Sequence, residues 1–287
     1  MVYLLVERAA KRGRDARQPA GDLCGERTRR VSAHAMTETI VNDMGDAPPD
    51  HRSGFVAVIG RPNVGKSTLV NRFVGQKVAI VSPKPQTTRS RILGILTRED
   101  VQIVFVDTPG LHRPRHKLGR AMVTTATRAI PDADAILFVV DSSVAPTDED
   151  RWIADLIREQ ARGPVLLVLN KMDLLPARKV KSHSEAYWEL VPDRHESMMT
   201  IATKGVNLEK LLPSIVSALP EGPRYFPEGQ VTDQTEREIA AELIREQVLR
   251  NTRQEVPYSV AVVVEEFEDR PDDVIYIAAT IIVERNS

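Results

Sequence analysis

The chain of 287 residues is 42% hydrophobic and 28% charged, with a formal net charge of −1 at pH 7. This describes a globular protein with room for one good-sized core and a smaller second unit, and it excludes a uniformly basic nucleic-acid binder, so any RNA contact needs a local patch. No apolar run approaches the roughly 20 residues of a membrane-spanning helix, and the single cysteine excludes an internal disulfide while fitting a reducing, cytoplasmic compartment.

Residues 1–53 show no sustained helical or strand period. An apolar segment at 2–6 is too short for a signal-peptide core, basic residues dominate up to Arg30, and an acidic, proline-containing stretch follows at 44–50. The pattern predicts a disordered arm. A true start at Met36 or Met44, which would make the basic segment an artefact of the gene model, is an open alternative.

Residues 54–220 alternate short apolar runs with helical patterns, which is typical of an α/β domain with a mostly parallel sheet and helices on both faces. Strands are predicted at Phe55–Ile59, Arg91–Leu96, Val101–Val106, Ala135–Val140, Val165–Leu169 and Met198–Ile201. Helices are predicted at Lys66–Val74, Leu118–Ile130, Asp148–Ala161, Ala177–Leu190 and Leu208–Leu219. A polar turn alone separates the second and third strands, so we expect one antiparallel edge strand in a six-stranded sheet.

A glycine-rich loop follows the first predicted strand and opens the first predicted helix. Its residues are Gly60, Arg61, Pro62, Asn63, Val64, Gly65, Lys66 and Ser67, with Thr68 next. This spacing in this context indicates a Walker A loop rather than an ordinary glycine turn. Such a loop binds nucleotide phosphates with backbone N–H groups at the positive end of a helix. We expect Lys66 to reach the outer phosphates and the Ser67 hydroxyl to ligate Mg²⁺.

Asp107, Thr108, Pro109 and Gly110 come directly after a buried strand. A carboxylate at this position suits the Walker B role of holding Mg²⁺ through its water shell, and the Gly110 N–H can bond the γ-phosphate. The polar loop at 82–89 lies between the two elements and can become ordered around γ-phosphate and Mg²⁺. Thr88, or less favourably Thr87, is predicted to supply a hydroxyl ligand in the triphosphate state.

The base is selected by a third loop, formed by Asn170, Lys171, Met172 and Asp173. The Asp173 carboxylate can accept hydrogen bonds from the guanine N1–H and amino group, donors that adenine does not present there. Asn170 can bond N7, and the stem of Lys171 can cover the base plane. The three loops together predict a GTP-binding enzyme that uses Mg²⁺.

These residues resemble the Era family of bacterial P-loop GTPases. The resemblance rests on the sequences at 60–68, 82–89 and 107–112, and two C-terminal segments at 257–260 and 282–285 resemble the family's RNA-binding KH domain. It implies binding to the small ribosomal subunit and the 3′ end of its RNA, a role in subunit maturation, and a loose association with the inner membrane surface.

The resemblance also implies a guanine contact from a loop that usually reads Ser-Ala and here reads Ile201-Ala202. We expect the Ala202 N–H to meet guanine O6, and we expect the isoleucine to loosen the loop.

Residues 221–233 read as a linker, and 234–287 as the opening of a KH-like domain. A helical stripe is predicted at Ile239, Leu243, Ile244 and Val248, followed by strands at Tyr258–Val264 and Val274–Val283. KH domains clamp RNA with a Gly-x-x-Gly loop, yet no glycine follows Gly229. This predicts a truncated product with RNA binding in doubt. An αββ lobe that merely packs on the GTPase domain is the alternative.

Leu111 stands where Ras-like GTPases carry a water-orienting glutamine, so we expect slow intrinsic hydrolysis. In some related GTPases with this motif, the asparagine that corresponds to Asn63 ligates K⁺. This suggests that a potassium ion supplies charge beside the phosphates.

Two functions other than a hydrolysing switch were considered. One is a non-hydrolysing GTP-binding scaffold. The other, a member of a neighbouring family with tandem GTPase domains, is disfavoured because one set of motifs occurs.

Overall fold

The computed structural model describes residues 2–7, 48, 50–82, 87–113, 117–252, 260–271 and 274–283. The strands are β1 (Val2–Glu7), β2 (Arg52–Ile59), β3 (Ile92–Thr97), β4 (Val101–Asp107), β5 (Ala135–Asp141), β6 (Val165–Asn170), β7 (Glu196–Met199), β8 (Val260–Arg270) and β9 (Val274–Val283). The helices are α1 (Lys66–Val74), α2 (Lys117–Arg128), α3 (Asp148–Gln160), α4 (Val180–Leu190), α5 (Leu208–Ser217) and α6 (Glu236–Asn251). No helix in these ranges is long and apolar enough to cross a membrane.

The central sheet has the strand order β3-β4-β2-β5-β6-β7. Neighbouring strands are parallel except β3 and β4, which form an antiparallel pair. The predicted six-stranded sheet with one antiparallel edge strand is therefore confirmed. Every residue of β4 is buried, as expected for a strand covered on both faces.

Separate apolar cores cover the two faces of this sheet. One joins α1 and α5 to the sheet through residues such as Leu69 and Ile215, and the other joins α2, α3 and α4 through residues such as Ala126, Ile153 and Tyr187. The parallel strands point the same way, so the loops after β2, β4 and β6 meet at one edge. These loops carry the three predicted motifs.

Most predicted elements differ from the observed ones by a few residues at their ends, and the strand predicted at Tyr258–Val264 is observed as β8, Val260–Arg270, with residues 258 and 259 outside the described part. Two differences reflect a change in backbone conformation. The last strand of the central sheet was predicted at Met198–Ile201, but β7 spans Glu196–Met199, because Ile201 leaves the sheet and forms an antiparallel bridge with Val206. The helix predicted from Ala177 begins as a 3₁₀ turn, Ala177–Lys179, and becomes α4 at Val180.

The prediction of a disordered arm over 1–53 is wrong at both of its ends. Strand β1 pairs antiparallel with β9, from Val2 opposite Ala279 to Glu7 opposite Val274, and completes a three-stranded sheet in the order β1-β9-β8. Arg52 and Ser53 belong to β2. The partner of β1 lies at the other end of the chain, so no local pattern reveals the pairing. Residues 8–47 lie outside the described part.

Helix α6 buries a different face from the predicted apolar stripe. Leu243 is 37% exposed, whereas Arg245 and Glu246 are buried. The reason is a set of polar contacts with the GTPase domain. Glu246 accepts hydrogen bonds from the Val81 N–H at 3.0 Å and from the Lys77 ammonium. An Nη atom of Arg245 donates to the Thr87 carbonyl at 2.6 Å.

Candidate functional site: a nucleotide cavity at the carboxyl edge of the sheet

A cavity of about 620 Å³ opens where the three loops meet. The predicted residues that line it are Pro62, Asn63, Gly65, Lys66, Ser67, Thr68, Thr88, Gly110, Asn170, Lys171, Asp173, Ile201 and Ala202. Residues that the sequence did not single out also line it, among them Ile80, Leu174 and Thr203. The structure thus brings phosphate-binding, metal-binding and base-reading candidates from segments more than 100 positions apart into one site.

The glycine loop is shaped by close contacts that a side chain would obstruct. Gly65 has a φ of 104°, and a Cβ placed there would lie 2.3 Å from Nδ2 of Asn170. The buried Lys66 folds back on its own loop, and its Nζ donates to the carbonyls of Gly60 at 3.1 Å and Arg61 at 2.9 Å. Burial lowers the pKa of Lys66 to about 8. Its ammonium is therefore held beside the helix N-terminus by weak acceptors that phosphate oxygens can replace.

The three candidate Mg²⁺ ligands lie together at the start of α1. The Ser67 hydroxyl donates to Oδ2 of Asp107 at 2.6 Å and lies 3.1 Å from the Thr88 hydroxyl oxygen. The other Asp107 oxygen, Oδ1, is buried with no hydrogen-bond partner among the described residues. Hydroxyl and carboxylate oxygens are the ligands that Mg²⁺ prefers, and an unpaired buried carboxylate oxygen suits its water shell. The residues therefore fit a magnesium ion.

Mg²⁺ binding is expected to compete with a proton on Asp107. Burial raises the pKa of this carboxyl from 3.8 to about 6, so the metal-free protein holds the proton until pH rises above that value. Mg²⁺ requires the ionised form, so Mg²⁺–GDP binding should weaken as pH falls below about 6 and should release protons there. Calorimetry at pH 5.5 and 7.5, in buffers of different ionisation enthalpy, measures this release. Equal proton release at both pH values would contradict the assignment, and Asp107→Asn should remove the difference.

The Asn170 side chain connects the P-loop to the loop that contains Thr200 and Ala202. Its buried Nδ2 donates to the Val64 carbonyl at 2.8 Å, and its Oδ1 accepts from the Ala202 N–H at 3.0 Å and the Thr200 hydroxyl at 3.2 Å. One N–H of the amide is left for the predicted contact with guanine N7. The Ala202 N–H, expected to meet guanine O6, has the Asn170 oxygen as its partner instead.

Thr200 is a residue of this site that the sequence analysis did not single out. Its buried hydroxyl, one position before Ile201, donates to the Asn170 side-chain oxygen at 3.2 Å. The loop is further held by the paired backbone of Ile201 and Val206, with N···O distances of 3.3 and 3.2 Å. These bonds fix the loop backbone in this structure, and the expected loosening by Ile201 stays a prediction. The available signal was the hydroxyl residue directly before Ile201.

Asp173 and Lys171 flank the part of the cavity where a base would lie. The Asp173 side chain is 27% exposed, and its Oδ2 lies 3.5 Å from the Lys204 ammonium. Lys171 has a φ of 62° and donates from its ammonium to Oδ2 of Asp141 at 2.7 Å. Because that end of Lys171 is fixed, its aliphatic stem is placed along the cavity wall. This region can accept hydrogen bonds from a guanine and cover its face.

Other predicted nucleotide contacts lie behind the cavity wall. The Thr108 hydroxyl donates to the Val58 carbonyl at 2.8 Å, and the Leu111 side chain is fully buried in the core while its N–H donates to the Gly60 carbonyl at 3.0 Å. The Arg61 side chain turns away to Asp150. Gly60, Val64, Asp107, Pro109 and Met172 are likewise not part of the lining. Thr108, Leu111 and Arg61 hold the loops in place through hydrogen bonds on the side away from the cavity.

Comparison with known proteins gives consistent matches. Residues 55–171 match a family described as 50S ribosome-binding GTPase. The chain is 47% identical over 242 residues to GTPase Era of Heliobacterium modesticaldum, covering 82% of this chain and 78% of that one. It is 50% identical over 242 residues to GTPase Era of Crocosphaera subtropica, covering 84% and 76%.

Two solved structures share the fold over most of the chain. The crystal structure of Era in complex with MgGDPNP and nucleotides 1506–1542 of 16S ribosomal RNA has a TM-score of 0.76 and 39% identity, covering 82% of this chain and 80% of that chain. An Aquifex aeolicus Era variant bound to GDP and AlF₄⁻ has a TM-score of 0.75 and 39% identity, with the same coverage.

Proposed function

The chain belongs to the Era family of GTPases, and we propose that it couples GTP hydrolysis to assembly of the small ribosomal subunit by binding that subunit's RNA. The observation that carries the proposal is the cavity lined by Lys66, Ser67 and Asp173, which suit phosphates, Mg²⁺ and guanine, with Asp107 hydrogen-bonded to Ser67 from behind the cavity wall. The matched family description mentions the 50S subunit, but it covers residues 55–171 alone. The relative bound to 16S RNA matches four-fifths of the chain, and we give it more weight.

Hydrolysis is an in-line attack of water on the γ-phosphate, in which the protein positions groups and neutralises charge. Lys66 and the loop amides stabilise charge on the phosphates, and Gly110 lines the cavity where its N–H can bond the γ-phosphate. Ser67, Thr88 and Asp107 would hold Mg²⁺, which would neutralise charge on the phosphates. Leu111 is buried and apolar, so water must be oriented by another group. Slow intrinsic turnover follows.

Potassium bound at Asn63 is the proposed source of additional positive charge. Asn63 lines the cavity and has a φ of 62°, a left-handed conformation that asparagine tolerates. Hydrolysis should be faster in potassium than in sodium buffer at equal ionic strength, because the proposed potassium ion adds positive charge beside the phosphates. Single-turnover phosphate release measures this. Equal rates in the two buffers count against the role of Asn63.

A switch also needs a path from nucleotide to RNA-binding surface. Helix α6 contacts residues on either side of the 83–86 segment, through Glu246 with Val81 and Arg245 with Thr87. Thr87 is adjacent to the candidate magnesium ligand Thr88. A shift of Thr88 on binding Mg²⁺–GTP would therefore change the contacts of α6, and with it the position of the C-terminal lobe.

RNA binding tests the wider proposal. A labelled oligonucleotide with the 3′-terminal sequence of 16S RNA should bind the full chain more tightly with Mg²⁺–GDPNP than with GDP, and more tightly than a scrambled oligonucleotide. Anisotropy titration measures both differences. If the chain bound the 16S and the scrambled oligonucleotides equally well, the proposed RNA-binding role would be rejected and only the GTPase activity would remain proposed. Absence of phosphate release under single-turnover conditions would instead favour the non-hydrolysing scaffold.

We place the activity in the cytoplasm, and peripheral membrane contact rests on the family resemblance alone.

A further inference from the structure

Arg61 is the P-loop residue whose side chain leaves the cavity for a buried partner. Its Nε donates to Oδ1 of Asp150 at 2.7 Å, and the Asp150 side chain is fully buried. Asp150 lies in the first turn of α3, 89 positions later in the chain. Separating such a pair would leave a buried charge unpaired, which is strongly unfavourable. The pair therefore fixes the Arg61 side chain in one position.

Asp150 is itself held rigidly by the N-terminus of α3. Its second oxygen, Oδ2, accepts from the N–H of Thr147 at 2.8 Å and from the Thr147 hydroxyl at 2.7 Å. In return, the Asp150 N–H donates to Oγ1 of Thr147 at 3.3 Å. This is a complete capping box. One carboxylate oxygen closes the box and the other remains for Arg61.

Tyr187 of α4 lies beside the Arg61–Asp150 pair. The ring is fully buried, its hydroxyl donates to the Asp141 carbonyl at 3.1 Å, and the charges of Arg61 and Asp150 both act on that hydroxyl. Burial, and then the charge of Asp150, raise the pKa of Tyr187. The hydroxyl is therefore protonated at neutral pH and donates to Asp141.

The cluster formed by Arg61, Asp150 and Tyr187 is linked by hydrogen bonds to both lysines of the nucleotide cavity. The Arg61 carbonyl is one of the two acceptors of Lys66, at 2.9 Å. Asp141, whose carbonyl accepts from Tyr187, binds the Lys171 ammonium through its carboxylate at 2.7 Å. The phosphate lysine and the base-covering lysine are thus connected through residues that lie outside the cavity.

We propose that Asp150 and Tyr187 are positioning residues for nucleotide binding, which fix Arg61 and so hold the P-loop in the conformation that accepts phosphates. Neither residue lines the cavity. The proposal rests on the guanine-nucleotide site described above and assigns two residues, which belong to none of the three motifs, to its phosphate-binding part.

The test separates phosphate binding from base binding. Asp150→Asn keeps a capping oxygen and removes the charge, and it should weaken GDP binding about tenfold, the size expected for one charged hydrogen bond. Binding of guanosine, which has no phosphates, should be unchanged. Competition titrations on the full chain measure both affinities. Asp155→Asn is the matched control, because Asp155 lies on the same helix in an exposed pair with Arg158. It should change neither affinity.

A double-variant cycle shows whether Asp150 acts through Arg61. Arg61→Met should weaken GDP binding by a similar factor, and the double variant should bind no more weakly than either single variant. Tyr187→Phe removes the hydroxyl and keeps the ring, and about a threefold loss of GDP affinity is expected from one neutral hydrogen bond. This variant decides the question if Asp150→Asn does not fold. Additive losses, equal losses for guanosine and GDP, or unchanged GDP affinity in the folded variants would overturn the proposal.

Discussion

Replacing Lys66 with alanine is expected to slow GTP hydrolysis by at least about 10²-fold, the effect of removing one preorganised donor at a developing charge. Lys66 is buried, and the structure gives its ammonium two carbonyl acceptors that phosphate oxygens can replace. Single-turnover phosphate release at saturating GTP and Mg²⁺ measures the change. A variant that hydrolyses GTP at the wild-type rate would refute the assignment of Lys66 to the phosphates.

The lowered pKa of Lys66 predicts how folding stability and GDP binding change with pH. Burial lowers its pKa from 10.5 to about 8 in the nucleotide-free protein. Between these values the unfolded chain binds a proton that the folded protein has lost, so stability attributable to Lys66 rises with pH over this window. Nucleotide phosphates favour the charged form. GDP binding should therefore take up a proton above about pH 8 and weaken as pH rises further, and Lys66→Met should remove this proton uptake in calorimetry.

Asp173→Asn is expected to weaken GDP binding by about 10³-fold or more, because a site built to accept hydrogen bonds rejects a ligand it can no longer pair. An asparagine amide can direct its N–H groups at the base, where guanine also presents donors. Xanthine has a carbonyl in place of the guanine amino group and can accept from that amide. The variant should therefore prefer xanthosine diphosphate to GDP, which competition titration measures.

Asp193→Asn serves as the control for this substitution, because Asp193 is exposed and does not line the cavity. Its GDP affinity should equal that of the wild type. Lys204→Ala, which removes the partner of Asp173 at 3.5 Å, should leave the preference for guanine over xanthine intact. Unchanged nucleotide preference in Asp173→Asn would show that this loop does not read the base.

Much of the GTPase domain could be predicted because its signals are local. Apolar runs specify strands buried on both faces, and the polar turn before β4 specifies the antiparallel edge. The bounds of α1 and β9 agree with the prediction. The Walker A loop is specified by its glycines and by the strand and helix around it, so its position at the carboxyl edge of the sheet follows from the sequence.

The contacts that position these motifs could not be predicted, because their partners lie far apart in the chain. Arg61 and Asp150 are 89 positions apart, and Val81 and Glu246 are 165 positions apart. A buried Glu246 on α6 contradicts the usual exposure of charged residues, and only the facing N–H and cations explain it. The hydroxyl of Thr200 likewise acquires its role only when the fold brings it to Asn170.

The sequence by itself determined the fold class, the three nucleotide loops and the preference for guanine, since each depends on residue types at short spacing. The tertiary structure decided which loop residues face the cavity, which lie behind it as anchors, and where β1 and α6 are placed. The physical reason is that buried polar groups must find partners, and a sequence does not state which distant partner the folded chain will provide.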